Sequence, residues 1–272
     1  MNFSVLISVY KKEKAEYFNA CLNSIFENTL LPTEVVIVKD GELTEELEAV
    51  LSEYTLKYDC IKIVALEKNC GLGTALNVGL EHCAYDIVAR MDTDDLCAKD
   101  RFETQIKAFE NNIDASVVGG YITEFIGDPD NVVSVRKVPT DFESLKKYSR
   151  KRNPVNHVTV MFRKQDIIDA GSYQKVKDVG YEDYDLWIRL IMAGKLLVNI
   201  DKVLVNVRVG ADMYKRRGDK KRLKTALYFR KKLWKCHYYG FFSYLLYSAE
   251  TIAFACVPSW VRKFLYKKVL RK

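Results

Sequence analysis

Histidine and paired cysteines are scarce in this chain, and their scarcity excludes several kinds of metal site. The 272 residues hold three histidines, at positions 82, 157 and 237, so a histidine-rich metal centre is excluded. The seven cysteines are scattered, odd in number and include no CxxC pair, which argues against a disulfide framework and a zinc site. This cysteine usage favours a reducing, cytosolic compartment. We expect no signal peptide, because the first ten residues lack a basic leader.

Two common nucleotide-binding signatures are also missing. The first predicted strand runs into residues 8–12, which contain no glycine, so the GxGxxG turn of nicotinamide and flavin enzymes is disfavoured. The pattern GxxxxGK followed by Ser or Thr occurs nowhere, which disfavours a P-loop nucleotide hydrolase. Nothing suggests a Ser-His-Asp triad. These enzyme classes are therefore set aside.

The positive charge of the chain is concentrated at one end. The formal net charge is +7, yet residues 211–272 hold 17 Lys and Arg against 3 Asp and Glu. The preceding 210 residues are acidic, with 26 basic against 33 acidic side chains. A basic segment on an acidic body indicates a separate role, and its two usual partners are nucleic acid and anionic membrane.

Hydrophobic periodicity predicts alternating strands and helices over the first 120 residues. Strands are predicted at residues 5–9, 34–38, 61–65 and 86–91, and helices at residues 15–28, 44–54 and 74–83. This order is typical of βαβ units in a mostly parallel sheet. Ligands of such sheets bind beyond the carboxyl ends of the strands, so functional residues are expected just after each strand.

The pattern changes after residue 116. Strands are predicted at residues 116–121, 122–126, 132–138, 158–162 and 203–207, a short helix at 141–147 and a longer helix at 182–194. No repeat or Pro/Gly/Ser-rich linker marks a domain boundary. We predict one catalytic domain over residues 1–210, with a nucleotide-binding half to residue 120 and an acceptor half from 121, followed by a helical segment over 211–272.

An acidic motif, Asp92-Thr93-Asp94-Asp95, follows the fourth predicted strand. Three carboxylates in four residues repel one another unless a cation or water compensates them. At a strand's carboxyl end they suit a hard divalent ion such as Mg²⁺ or Mn²⁺, which also binds substrate phosphates. The alternative is a solvated acidic turn in which an aspartate caps the next helix.

Two further motifs carry functional hypotheses. Glu182 and Asp183 fall at a helix start, where one could be a general base for an acceptor hydroxyl or both could simply favour the helix dipole. Residues 69–74, with Gly71, form a turn that opens a helix. Its free backbone N–H groups could face a phosphate or ribose, or it could be an ordinary turn.

Together these motifs resemble glycosyltransferase family 2. The resemblance rests on residues 4–10, 35–41, 69–79, 92–95 and 181–189, taken in order and spacing, covers roughly residues 2–210, and looks nearest to the bacterial surface-polysaccharide and O-antigen branch. It implies the GT-A fold, an α/β class with a Rossmann-like, mostly parallel sheet. It also implies a nucleotide-diphosphate sugar donor, Mn²⁺ or Mg²⁺, and inversion at the anomeric carbon.

The resemblance also implies roles for individual residues. The nucleotide would be held by Val9, Tyr10, Glu13, Asp40, Asn69, Gly71, Arg90 and Asp92. The metal would be held by Asp94 with Asp92 and Asp95, and which aspartate is the primary ligand stays open. Asp183 is the predicted base, beside Glu182. Contacts with acceptor or diphosphate are assigned to His157, Trp187, Arg208 and Arg216, with packing or solvated charge as the alternative for each.

The terminal segment predicts membrane association. Residues 219–240 read as a basic amphipathic helix, and residues 241–261 are apolar and aromatic but broken by Glu250 and Pro258. That interruption argues against a transmembrane span and favours a segment lying in the interface of an anionic membrane. The alternative is a helical cap on the core. No nucleic-acid module accompanies the charge, so nucleic acid is not expected as a partner.

The predicted enzyme extends a lipid-linked saccharide acceptor at the cytoplasmic, inner face of the cell membrane, with a UDP-sugar as the expected donor. Two alternatives stay open. A sugar nucleotidyltransferase also uses an α/β sheet and a metal, but would want a glycine-rich, lysine-bearing loop after the first strand. A non-catalytic, membrane-tethered nucleotide-binding module is the other, and the intact acidic motifs argue against it.

Overall fold

The computed structural model describes residues 1–176, 180–210 and 220–257. The first half of the chain alternates strands and helices as predicted, each within a few residues of the expected bounds. Its elements are β1 (Phe3–Val9), α1 (Ala15–Phe26), β2 (Glu34–Asp40), α2 (Glu45–Lys57), β3 (Ile61–Leu66), α3 (Leu72–His82) and β4 (Ile87–Met91).

The second half mixes shorter elements with two long strands. It comprises β5 (Leu96–Cys97), α4 (Arg101–Asn111), β6 (Ala115–Phe125), β7 (Val132–Arg136), α5 (Phe142–Tyr148), a short 3₁₀ helix (His157–Thr159), β8 (Met161–Arg163), α6 (Lys164–Asp169), α7 (Glu182–Met192) and β9 (Leu196–Arg208). Two further helices follow, α8 (Lys220–Lys235) and α9 (Phe241–Cys256).

One mixed sheet organises the molecule, in the order β3-β2-β1-β4-β8-β6-β9-β5, with β7 beside β6. The first four strands of that order are parallel, and β8 joins them antiparallel to β4. The predicted parallel sheet thus holds for the first four strands, whereas beyond β4 the long β6–β9 pair is parallel and the other pairs are antiparallel. The carboxyl ends of β1, β2 and β4 therefore lie at one edge, which is where a ligand is expected.

Apolar side chains cover both faces of the parallel strands, which explains their nearly continuous hydrophobic sequences. Along β1, Val5 and Ile7 point into a core formed with α1, α2 and α4, while Leu6 points into a second core on the α3 and α7 side. Helix α1 contributes a stripe at helical spacing to the first core, consisting of Phe18, Cys21, Leu22 and Ile25.

Three predicted strand boundaries are wrong. The two strands predicted at residues 116–121 and 122–126 form the single strand Ala115–Phe125, in which Gly119 and Gly120 make no turn and a register irregularity follows Gly120. A Cβ at Gly120 would lie 2.5 Å from Cδ1 of Leu204, so the glycine permits close packing of β9. Residues 157–159 form a 3₁₀ turn, so β8 begins only at Met161. The late strand spans Leu196–Arg208, well beyond the predicted residues 203–207.

Helices α8 and α9 pack against the preceding part of the chain. Phe229 and Leu233 of α8 are buried with Tyr184 and Ile188 of α7. The guanidinium of Arg230 donates to the carbonyls of residues 150 and 151 at 2.7 and 2.6 Å. The predicted terminal segment therefore begins with a helical cap on the core. Within the described ranges, no helix is long and apolar enough to cross a bilayer.

Candidate active site

The carboxyl end of β2 is joined to the loop before α3 by one buried carboxylate. Asp40 is 4% exposed, and its oxygens accept from the backbone N–H of Cys70 at 2.6 Å and of Gly71 at 3.0 Å. The amide of Asn69 donates to the same carboxylate at 3.1 Å. Asp40 therefore shapes the predicted nucleotide loop, and the exposed side of that loop is what a nucleotide could reach.

Gly41 makes this arrangement possible. Its φ is +87°, and a Cβ built on it would lie 2.7 Å from the backbone nitrogen of Asn69. No other residue type adopts this backbone conformation without strain and also leaves room for the loop. Gly71 has the same φ of +87°, but a Cβ there would meet nothing within 4 Å. The two glycines thus differ in what a substitution would disturb.

The carboxyl end of β1 contributes less than the sequence predicted. Val9 is fully buried, whereas Tyr10 is 42% exposed at the edge. Glu13 accepts a hydrogen bond from the hydroxyl of Thr93 at 2.5 Å. That bond ties the residues after β1 to the acidic motif after β4.

The acidic motif contains an internal ion pair. The guanidinium of Arg90 is 1% exposed and binds both carboxylate oxygens of Asp92, with one nitrogen at 2.7 Å from Oδ2. Arg90 therefore lies beneath the site and would act on a nucleotide through Asp92. One side of the Asp92 carboxylate is fixed by this pair, and the side chain is 33% exposed on the other.

Asp94 and Asp95 lie in different surroundings. Burial, together with the negative charges of Asp92 and Glu13, raises the pKa of Asp94 to about 6. Burial also raises the pKa of Asp95, with Asp92 and Asp94 adding to the effect. The Oδ1 atom of Asp95 accepts from the backbone N–H of Arg208 at 2.9 Å, which fixes the end of β9. Asp94 is thus the carboxylate available to a ligand.

These residues fit a divalent ion of the kind that keeps water and phosphate ligands. Among the described residues no three acidic, histidine or cysteine side chains converge as a ready-made cage. Mg²⁺ and Mn²⁺ bound with a substrate diphosphate need only one or two protein carboxylates. Asp94, crowded by negative neighbours that a cation would relieve, would supply the first, and the free side of Asp92 would supply a second.

The second acidic motif lies at the amino end of α7. Tyr181 precedes the helix in a left-handed conformation, with φ 80°, and Glu182 and Asp183 begin its first turn. Burial raises the pKa of both carboxyls. The side-chain amide of Asn153 donates to Oδ2 of Asp183 at 2.6 Å, which holds that carboxylate in one orientation.

Asp183 lies in the wall shared by two cavities. One, of about 470 Å³, is bounded by the loop before α3, by His157 and Tyr173, and by Glu182. The other, of about 520 Å³, lies between the residues after α5, the start of α7, and helices α8 and α9. A carboxylate in this position can act as a base. It can take a proton from a molecule bound in one cavity while that molecule reacts with a second molecule bound in the other.

Comparison with known proteins agrees with this geometry. Residues 4–170 match the sequence profile described as Glycosyl transferase family 2. The chain belongs to that family. This membership decides against the sugar nucleotidyltransferase alternative and confirms the resemblance drawn from the motifs.

Two curated relatives of this glycosyltransferase align along nearly its whole length. The amylovoran biosynthesis glycosyltransferase AmsE of Erwinia amylovora is 39% identical over 98% of this chain and 98% of that protein. The UDP-Gal:alpha-D-GlcNAc-diphosphoundecaprenol beta-1,3-galactosyltransferase of Escherichia coli is 35% identical over 99% of this chain and 97% of that protein.

A solved structure shows the same fold. Mannosyltransferase PcManGT from Pyrobaculum calidifontis, in complex with GDP-Man and Mn²⁺, superposes with a TM-score of 0.63 at 18% identity, covering 96% of this chain and 72% of that chain. The predicted GT-A fold is confirmed.

The residues predicted to contact the acceptor or the diphosphate lie in different parts of the glycosyltransferase. His157 lines the smaller cavity, and its Nε2 atom lies 3.0 Å from the hydroxyl of Tyr173. Trp187 is fully buried and packs with its ring 6.1 Å from that of His157, so it lies under the cavity and cannot contact an acceptor directly.

Arg208 stacks on the ring of Tyr17 at 4.1 Å. Its Nε donates to the carbonyl of Asp94 at 3.2 Å, beside the predicted metal site. Arg216 lies outside the described residues.

Sequence reasoning missed two residues around the predicted base. Asn153 holds Asp183, and Arg136 in turn donates to the carbonyl of Asn153 at 2.9 Å. Nothing in one sequence shows that Asn153 meets a residue thirty positions later. The packing of Phe229 on Tyr181, with ring centroids 5.1 Å apart, was equally hidden.

Proposed function

We propose that this glycosyltransferase is an inverting, metal-dependent hexosyltransferase of cell-surface polysaccharide synthesis. It moves a sugar from a nucleotide-diphosphate donor, with uridine as the base, to a lipid-linked saccharide. The observation that carries the proposal is the position of Asp183, whose oriented carboxylate lies in the wall common to two cavities.

The reaction follows from that position. A hydroxyl of the acceptor loses its proton to Asp183 as its oxygen bonds to the anomeric carbon of the donor sugar. The bond from that carbon to the diphosphate breaks on the opposite face, so configuration inverts in a single displacement. A general base of this kind contributes roughly 10²–10⁴ in rate. The raised pKa of Asp183 favours proton uptake, and the bond from Asn153 keeps the carboxylate aimed.

On the donor side, the exposed 69–71 loop and Tyr10 receive the nucleoside, and the acidic motif receives the diphosphate. A divalent ion bound there would supply positive charge to the leaving nucleoside diphosphate. Asp94 would hold that ion and Asp92 would share it, while Asp95 supports the site by fixing the end of β9. Arg208, next to Asp94, adds a second positive charge near the diphosphate.

The Escherichia coli relative supports a lipid-linked acceptor, since the acceptor in its name is a sugar carried on diphosphoundecaprenol and its identity to this chain is 35%. We therefore place the enzyme at the inner surface of the cell membrane. Helix α9 supports this location. It presents an exposed stripe of apolar side chains, including Phe242 at 85% and Leu246 at 56%, on the same helical pair as the basic residues of α8. Such a surface suits an anionic bilayer interface.

Nucleotide titration tests the donor half of the proposal. UDP and GDP are titrated with and without Mn²⁺ into wild type and Asp94→Ala. We expect UDP to bind in a metal-dependent manner and Asp94→Ala to lose that dependence. Preference for GDP would mean that the donor carries guanosine and not uridine. Metal-independent binding of equal strength in wild type and Asp94→Ala would contradict a metal site at the acidic motif.

Transfer tests the reaction itself. A UDP-hexose is supplied with a saccharide carried on an alkyl diphosphate, and the anomeric configuration of the product is read by NMR. We expect the configuration opposite to that of the donor. Retention of the anomeric configuration would exclude the single displacement. Hydrolysis of the donor without transfer would support donor binding but contradict transfer to this acceptor.

A further inference from the structure

The larger cavity has a wall composition that the reaction scheme does not explain. It measures about 520 Å³ and receives five cationic side chains from three parts of the fold, namely Arg136 of β7, Lys151 and Arg152 after α5, and Arg222 and Arg230 of α8. The one acidic side chain lining it among the described residues is Asp183. A cavity so unbalanced attracts an anion, because clefts lined by charge of one sign focus the electrostatic potential.

These cations are held in different ways. Arg136 and Arg230 are anchored by backbone carbonyls, and Lys151 forms an ion pair with Glu250 at 2.8 Å. Within the part of the chain that the structure describes, Arg152 and Arg222 pair with no carboxylate. Two guanidinium groups therefore stay available at the cavity, and guanidinium is the side-chain group that best matches a phosphate in bidentate geometry.

The remaining wall includes an apolar part. Leu223 and Ala226 of α8 line the cavity together with Phe254 and Ala255 of α9. A molecule filling this space can thus meet a carboxylate, guanidinium groups and hydrocarbon in one cavity. A hydroxylated sugar, a phosphate group and an aliphatic chain, joined in one molecule, carry the groups that match these three kinds of lining.

We propose that this cavity is the acceptor subsite, and that Arg152 and Arg222 bind the diphosphate that links the acceptor saccharide to its lipid. The inference rests on the proposed function and adds the group by which the acceptor is recognised. The residues of the donor edge, from the 69–71 loop to the acidic motif, do not line this cavity. The anion bound here is therefore distinct from the diphosphate of the nucleotide.

Direct binding tests the subsite without any transfer. Inorganic pyrophosphate is titrated calorimetrically in metal-free buffer into wild type, Asp94→Ala and the double variant Arg152→Gln/Arg222→Gln. We expect wild type and Asp94→Ala to bind alike and the double variant to bind about tenfold to a hundredfold more weakly, since two charge-assisted contacts are lost. Binding lost in Asp94→Ala but kept in the double variant would assign the anion to the donor edge and overturn the subsite.

A matched control separates the cavity from a general attraction to negative surfaces. Lys224→Gln/Lys231→Gln removes the same charge from exposed positions of α8 that do not line the cavity. We expect this control to bind pyrophosphate as wild type does. An equal loss in both double variants would mean that α8 attracts anions, including lipid headgroups, through its net charge and that no phosphate subsite exists.

Kinetics then test recognition of the acceptor. Two acceptors carry the same saccharide and alkyl chain, one through a diphosphate and one through a neutral ether. The Arg152→Gln/Arg222→Gln variant should raise KM for the diphosphate acceptor at least about tenfold and leave kcat/KM for the neutral acceptor unchanged. Equal losses on both acceptors would overturn the subsite. Failure of wild type to transfer to either acceptor would instead contradict the proposed function, while the pyrophosphate titration would still decide the subsite.

Discussion

The side-chain amide of Asn153 donates a hydrogen bond of 2.6 Å to Oδ2 of Asp183, across thirty residues of chain. The backbone carbonyl of Asn153 accepts from Arg136 and its Oδ1 accepts from the backbone N–H of Val155, so the amide is itself held in place. Burial raises the pKa of the Asp183 carboxyl, while the backbone N–H of Tyr184 and the amide of Asn153 stabilise its charged form and oppose that rise. The pH at which the base works is therefore set by burial against these hydrogen bonds.

Asp183→Asn should lower kcat by about 10²–10⁴ and leave UDP binding near that of wild type, because the amide keeps the shape but cannot take a proton. Glu182→Gln is the matched control, since Glu182 lines only the smaller cavity and is one residue away. Steady-state transfer and UDP titration on both variants give the comparison. A larger loss in Glu182→Gln than in Asp183→Asn would make Glu182 the base.

Asn153→Ala should move the acidic limb of the pH profile of kcat to higher pH. The base must be deprotonated to act, so activity falls as pH falls through its pKa. Removing the donor takes away the bond that lowers this pKa, so the fall begins at higher pH. Asn153→Gln should restore part of the shift. A uniform loss of activity at every pH would show that Asn153 only supports the local fold.

Asp94→Ala and Asp95→Ala should have different effects. Asp94 is the available carboxylate of the acidic motif, so its variant should lose metal-dependent UDP binding while keeping its melting temperature. Asp95 is 2% exposed and accepts from the backbone N–H of Arg208, so its alanine variant leaves that donor unpaired and should mainly lower stability, by about 1–3 kcal/mol. Metal titration and thermal unfolding distinguish them. The reverse assignment would follow if Asp95→Ala stays stable and loses the metal.

Phe242→Glu/Leu246→Glu should release the enzyme from anionic vesicles, because both side chains lie on the exposed stripe of α9. Loss of their insertion should weaken binding by at least about tenfold. Leu56→Glu/Ile113→Glu changes exposed apolar residues elsewhere, at 88% and 75% exposure, and should bind vesicles more nearly as wild type does. Sedimentation with vesicles measures both. Equal binding of all three proteins would exclude α9 as the contact. Removing residues 241–272 should also release the enzyme, but it would take away part of the cavity wall.

Gly41→Ala should destabilise the fold and weaken UDP binding, since the new Cβ would press against the backbone of Asn69. Gly71→Ala carries the same unfavourable φ but meets open space. Each should cost about 1–3 kcal/mol for the left-handed backbone, with a further loss only at Gly41. Thermal unfolding and UDP titration of the pair isolate the contact with the loop. Identical behaviour of the two variants would show that the close approach has no consequence.

The parallel half of the fold could be predicted because its pattern is local. Strands that are buried on both faces have continuous apolar sequences. The helices between them carry apolar residues at helical spacing along one face, as α1 does. The acidic motif could be found for the same reason, since its residues are adjacent. Beyond β4 the pairing joins distant segments, such as β6 with β9, and no short window contains both partners. Asn153 and α8 reach the site in the same non-local way.

The left-handed backbone conformation of Tyr181 limits how far this enzyme can be truncated from its C-terminal end. Its backbone, immediately before the acidic pair, is the kind that costs about 1–3 kcal/mol unless neighbours enforce it. Phe229 of α8 packs against its ring, and Asp185 of α7 is joined to Lys232 of α8 by an ion pair. All the sequence motifs lie before α8, yet the minimal working unit extends at least to that helix. A fragment ending at residue 210 would carry every motif and lose the support that holds its base in position.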